Sequence, residues 1–175
     1  MKTRVANDLF RRMLKASQEK GRCSPHMVER TILAFDPGET TGFARFHPDG
    51  DGNITIFMAQ LDTKDRSEGA RTLKALMTSG PLLNPLVVCE DYRVYGHKAE
   101  SHSWAGLHTP KLIGRIEQIT DDFGIPMVTP MAGEAKGFAT DELLKGWDLY
   151  EPGMRHARDA VRHLVTRLFF GKDPL

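Results

Sequence analysis

In residues 31–44, Thr31-Ile-Leu-Ala-Phe-Asp-Pro-Gly-Glu-Thr-Thr-Gly-Phe-Ala44, a continuous apolar run stops at an acid and turns at once. Thr31 to Phe35 has the apolar, β-rich character of a buried strand, and Asp36-Pro37-Gly38 is a turn sequence. Gly42 to Phe46 predicts a second short strand. His47-Pro-Asp-Gly-Asp-Gly-Asn53 then carries a strong hairpin signal, so Ile54 to Ala59 is expected to return antiparallel to it. A charged residue that closes an apolar strand is placed at the end of a sheet, where α/β proteins build their sites. Asp36 is the first candidate of that kind.

Further along, Asp65 to Thr78 predicts a helix with Ala70, Leu73, Leu76 and Met77 facing inward. Leu86-Val-Val-Cys89 is a short unbroken apolar run, as expected of a central strand buried on both faces, and it stops at Glu90-Asp91. Leu112 to Phe123 predicts a helix closed by Gly124, and Pro126 to Thr129 a fifth strand. Thr140 caps a short helix, and Gly153 to Phe170 is a final amphipathic helix. Upstream, residues 4–21 read as a basic amphipathic helix, with Val5, Leu9, Phe10, Met13 and Leu14 at helical spacing, followed by a linker through Pro25. The expectation is an N-terminal helical extension, residues 1–29, and one α/β domain, residues 30–175. Three antiparallel strands followed by alternating helices and strands imply a mixed five-stranded sheet flanked by helices, the element order of a ribonuclease H-like domain.

The last helix supplies the third acid. At about 100° per residue, Ala157, Ala160, Val161, Leu164 and Leu168 form one apolar stripe, and His156, Asp159 and His163 lie along its edge. Asp159 is also placed to pair with Arg155 or Arg162 on the helix surface. In that fold Asp36 and Glu90 end neighbouring strands. Two carboxylates so close repel unless a cation lies between them, and hard oxygen ligands suit magnesium or manganese. Asp91 points away from Glu90 by strand alternation, and Glu39 and Glu117 read as surface acids.

Composition sets few limits on partners. The chain has 175 residues, 40% hydrophobic and 27% charged, with a formal net charge of +1. Its length fits one domain with a core. Basic residues cluster in the first 30 positions and in the last helix. Such patches bind phosphates in a salt-dependent way, although any one of them is read first as a solvated helix face. No apolar run approaches the roughly 20 residues that span a bilayer, and Met1 to Arg22 lacks the apolar stretch of a secretion signal. Cys23 and Cys89 lie far apart and form no metal-binding pair, which points to reduced thiols in a cytoplasmic setting. The loop histidines His97, His102 and His108 lack the cysteine partners of a zinc site.

These residues carry a resemblance. Thr31 to Ala44 resembles the first-strand motif of RuvC-type Holliday junction resolvases, in which Asp-Pro-Gly follows an apolar strand and Thr-Gly comes soon after. Leu86-Val-Val-Cys-Glu90 is similar to their second acidic motif, and His156-Ala-Arg-Asp159-Ala160 to their C-terminal one. Lys111-Leu-Ile-Gly-Arg-Ile-Glu117 is similar to the helix between, and Thr129-Pro130 with Lys136 to the pattern after the fifth strand. The likeness runs in order over about residues 31–170, with a flavour of the phage proteins; residues 1–30 and the aromatic loop 92–110 depart from it.

The resemblance implies two-metal phosphodiester hydrolysis with magnesium, manganese substituting, in a bacterial or phage-infected cell. Asp36 would bridge the ions, Glu90 and Asp159 would each anchor one, and His156 would be a further ligand or a phosphate contact. Lys111, Arg115 and Lys136 are the phosphate candidates. Trp104, Tyr95 and Tyr92 are candidates for stacking on unpaired bases at a branch point. Paired nicks across branched DNA imply a homodimer. Three alternatives stay open: a broader structure-selective nuclease, an RNA–DNA hybrid nuclease, and a DNA-binding module without activity. The chain lacks the Walker motif that accompanies terminase nucleases, and one domain is too short for a sugar-kinase or actin-like ATPase.

Overall fold

The computed structural model describes residues 1–49, 53–92 and 108–172. Its elements are β1 (Lys2–Val5), α1 (Asp8–Glu19), a 3-10 turn (Pro25–Glu29), β2 (Ile32–Asp36), β3 (Thr40–Pro48), β4 (Ile54–Asp62), α2 (Arg66–Thr78), β5 (Leu86–Cys89), α3 (His108–Asp122), β6 (Met127–Val128), α4 (Ala132–Phe138), α5 (Asp141–Gly146) and α6 (Arg155–Phe170). The strands form one sheet in the order β1-β4-β3-β2-β5-β6. The β1 to β2 part is antiparallel, and β2, β5 and β6 run parallel.

Strand alternation divides the core into two layers. Ile32, Ala34, Ala44, Phe46, Ile56, Met58, Leu86 and Val88 face α6, α1 and α5. Leu33, Phe35, Phe43, Ala59, Val87 and Cys89 face α2 and α3. The α6 stripe expected from sequence, Ala157, Ala160, Val161, Leu164 and Leu168, is fully buried against the first layer. Thr140 caps α5 as expected, accepting from Leu143 N at 3.3 Å. Cys23 and Cys89 are both free and buried.

The sheet has six strands, not five. The expected helix over 4–21 is confined to Asp8–Glu19, where Asn7 caps α1, its Oδ1 accepting from Phe10 N at 3.0 Å. The residues before it bind the open edge of β4, with Lys2 opposite Met58 and Val5 opposite Thr55. Val5 and Leu9, two of the apolar residues at helical spacing, are exposed, whereas Phe10 and Leu14 are buried in the core. The N-terminal extension is thus joined to the sheet and to the α6 layer. Part of its basic charge is used internally: Arg4 Nη2 lies 3.1 Å and Lys2 Nζ 3.6 Å from Glu151. The expected linker contains the 3-10 turn, and α4 is a helix the sequence reading left out. Among the described residues no helix is long and apolar enough to cross a membrane.

Candidate active site

Parity fixes two of the acids. Asp36 follows Ile32 and Ala34 on the face of β2 that α6 covers, and Glu90 follows Leu86 and Val88 on the same face. β2 and β5 pair in parallel with Phe35 opposite Cys89, so the two acids leave adjacent strands at the same level. Glu90 N donates to Phe35 O at 3.0 Å, which holds the chain in register beyond the last pair. Asp91, one step on, is on the opposite parity.

The helix reaches these acids because Gly42 has no side chain. Gly42 lies opposite Asp36 in β3. A Cβ there would stand 1.9 Å from His156 O and 2.3 Å from His156 C. The start of α6 therefore rests on the sheet backbone itself. Met154 offers that helix no side-chain cap. Gln60, opposite Gly42 in β4, acts instead: its Oε1 accepts from His156 N at 3.1 Å. One of the unpaired amides of the first turn is satisfied from a neighbouring strand.

From that seat α6 presents three polar residues. His156 Nδ1 lies 2.7 Å from Asp36 Oδ2. Asp159 comes next, 6% exposed, paired with Arg162 and 3.8 Å from Lys136 Nζ. Arg162 also binds Asp141 and donates to Ala139 O at 2.9 Å. One turn further, His163 Nε2 lies 2.7 Å from Glu90 Oε2.

Asp36 lies within electrostatic reach of the other two acids. Burial, first of all, pushes its carboxyl up to about 6 from 3.8; the His156 hydrogen bond opposes this, and the charges of Glu90 and Asp159 add to it. Among the described residues, no three His, Cys, Asp or Glu side chains are gathered closely enough to hold a metal as they stand. Each carboxylate is turned toward a nitrogen base: His156 for Asp36, His163 for Glu90, Arg162 and Lys136 for Asp159.

Of the residues named from sequence, Asp36, Glu90, Asp159 and His156 all lie on the α6 side of the sheet, Asp36 paired with His156, and Lys136 lies beside Asp159. Lys111 and Arg115 do not join them. They are exposed on α3, which packs on the other layer, and line a groove of about 600 Å3 with Ser67 and Gln118. Tyr92 packs against that same layer. Tyr95, Trp104, His97 and His102 lie outside the described residues. Sequence reasoning placed His163 at the rim but gave it no role, and it passed over Gln60. The spacing of His163, four residues after Asp159 and seven after His156, was the available signal. Gln60 left none, being a polar residue in a strand 96 positions from its partner.

No family model and no curated protein sequence matches this chain. Solved structures do. RuvC of Thermus thermophilus in complex with a Holliday junction substrate is 18% identical, with a TM-score of 0.58, over 80% of this chain and 94% of that one. A second Thermus thermophilus RuvC structure is 17% identical with a TM-score of 0.56 over the same shares. The fowlpox virus Holliday junction resolvase is 11% identical with a TM-score of 0.53, over 79% of this chain and 97% of that one. At these identities the likeness is one of fold: the chain has the RuvC-like form of the ribonuclease H-like fold.

Proposed function

We propose that this chain, which shares the fold of the RuvC-like resolvases, is a metal-dependent endonuclease acting on branched DNA. The observation that carries the reading is that Asp36, Glu90 and Asp159, from three elements, all lie on the α6 side of the sheet with Glu90 and Asp159 within electrostatic reach of Asp36, whose carboxyl is pushed up to about 6, chiefly by burial. Carboxylates that repel one another suit a cation between them. The donors are hard oxygens, which fits magnesium or manganese, and Asp36, Glu90 and Asp159 would hold it. A divalent cation bound there supplies Lewis acidity to activate a water and to neutralise charge developing on a phosphate.

The protein's own groups do the rest. His156 is held by Asp36 and capped through its amide by Gln60, and its side chain remains 39% exposed, open to a phosphate oxygen. Lys136, half-exposed beside Asp159, is placed to position the DNA backbone. Arg162 ties Asp159 to Asp141 and to the end of α4, so that acid is held in place from behind. The finer reading is Holliday junction resolution by a two-fold dimer, since paired nicks need two active sites. It is supported by the fold alone.

Cleavage of a labelled four-way junction with magnesium, beside linear duplex, flap and RNA–DNA hybrid, tests this with the wild type and Asp36→Asn. Symmetric junction nicks lost in the variant are expected. Cutting of all branched forms keeps the site and widens the substrate. No cutting of any substrate with magnesium or manganese leaves a DNA-binding module.

A further inference from the structure

We infer that His163 is a positioning residue for Glu90: its Nε2–H fixes one carboxylate oxygen and so presents the other to the bound cation. The inference rests on the cation reading above. His163 sits among Ala160, Val161, Leu164 and Leu168, in a stripe that is otherwise apolar, and it is itself 2% exposed. A buried polar ring needs a partner, and a leucine would fill the same place without one. The partner is Glu90, with Nε2 2.7 Å from Oε2. Nδ1 makes no hydrogen bond. A hydrogen on Nδ1 would thus be a buried donor without an acceptor, whereas a hydrogen on Nε2 is used.

The two histidines of the site differ in what they can touch. The His156 side chain is 39% exposed and can meet substrate; that of His163 is 1% exposed and cannot. Glu90 lies beyond the last β5 pair, on a side chain with three rotatable bonds and 20% exposure. Without His163 nothing in α6 would hold that carboxylate against the sheet. Carboxylate ligands are commonly oriented by such an outer hydrogen bond, and its loss weakens metal binding by roughly 10–100-fold.

Manganese binding to the metal-free full chain, followed by calorimetry, tests this with wild type, His163→Gln and His163→Leu, beside the melting temperature of each without metal. Gln can place an amide N–H where Nε2 lies; Leu cannot. The expected result is binding weakened by about 10–100-fold in the Leu variant and restored to within a few fold in the Gln variant, with metal-free melting held in both. Leu binding manganese as tightly as wild type overturns the inference. So does equal loss in both variants together with lowered melting, which marks a packing role only. Absence of manganese binding in the wild type is a different failure, of the cation reading itself, and takes the inference with it. A second measurement needs no change at position 163: ring nitrogen shifts of the metal-free wild type should show Nε2 protonated and responsive to Glu90→Gln. An Nε2 without hydrogen overturns the inference whatever the variants do.

Discussion

Gly42→Ala isolates the contact on which the site is seated. Gly42 does not have a left-handed backbone, so alanine brings no conformational strain and the test is purely steric. The new methyl would lie 1.9 Å from His156 O and 2.9 Å from Ala157 N, both backbone atoms that no rotamer change can move. Carbon contacts settle near 3.5 Å, so the start of α6 must retreat by about 1.5 Å. The His156–Asp36 contact, now 2.7 Å, then opens beyond hydrogen-bond range. The Gln60 bond to His156 N, at 3.1 Å, opens with it. Overpacking of this kind destabilises by about 1–3 kcal/mol, which lowers melting by roughly 2–12 °C in a chain of this size. A misplacement of about 1 Å at reacting groups reduces rate by about 100-fold. The assay is single-turnover junction cleavage with DNA binding measured in parallel, beside far-UV circular dichroism and a melting curve. The expected variant is folded, binds DNA and cuts at about 1% of the wild-type rate. Cleavage within twofold of wild type and unchanged melting would refute the seating of α6 on Gly42 and the role given to His156.

The raised Asp36 carboxyl makes a pH prediction. Its folded value, about 6, lies above the unfolded 3.8, so the folded state holds the proton more tightly. Stability from this group is full below about pH 4, is lost as pH rises through 6, and is flat above; the difference is about 3 kcal/mol at most. Urea unfolding without metal should show that fall in wild type relative to Asp36→Asn, and magnesium at pH 7.5 should stabilise only wild type; parallel pH profiles would contradict the burial argument. Phe10→Ala should cost about 3–5 kcal/mol and lower melting by roughly 6–20 °C, because Phe10 is buried between Trp147 and Phe169; a fall under about 2 °C would mean that residues 1–19 are not part of the cooperative unit. Lys136→Ala, measured in the Asp36→Asn background, should weaken junction binding and reduce the slope of log affinity against log salt by about one; an unchanged slope would remove Lys136 from the DNA path.

Much of this arrangement was legible in the sequence where side-chain pattern reflects burial. β2 and β5 read as strands because both of their faces are covered, and the element order made them neighbours, which put Asp36 and Glu90 at adjacent strand ends. α6 read as a helix because its stripe is continuous. What escaped was held by backbone or by distant partners. β1 pairs with β4 through main-chain bonds while its side chains are mostly exposed, so Lys2–Val5 carries no alternation. α4 contains Gly133 and Gly137 and has no side-chain cap, so propensity argued against it; packing against α6 makes it a helix. Lys111 and Arg115 were grouped with the acids by their place in a motif, which does not say on which layer a helix lies.

The three polar residues of α6 ride on one rigid element, so their geometry depends on how both ends of that helix are fixed. Gly42 and Gln60 fix the first turn. The far end is fixed by aromatic packing: Phe169 stacks on Trp147 with ring centres 5.2 Å apart, and Phe10 meets both edge-on. Ser17 adds a hydrogen bond from its hydroxyl to Phe169 O. Phe10 and Ser17 belong to α1, so the N-terminal segment packs on the end of α6 away from the site. A shift of α1 tilts α6 about its seat on Gly42 and moves His163 more than His156, because His163 lies two turns further from that seat. Damage to α1 should therefore disturb the Glu90 side of the site before the Asp36 side. The separate responses of manganese affinity and of the Asp36 pH profile in Phe10→Ala make that order measurable.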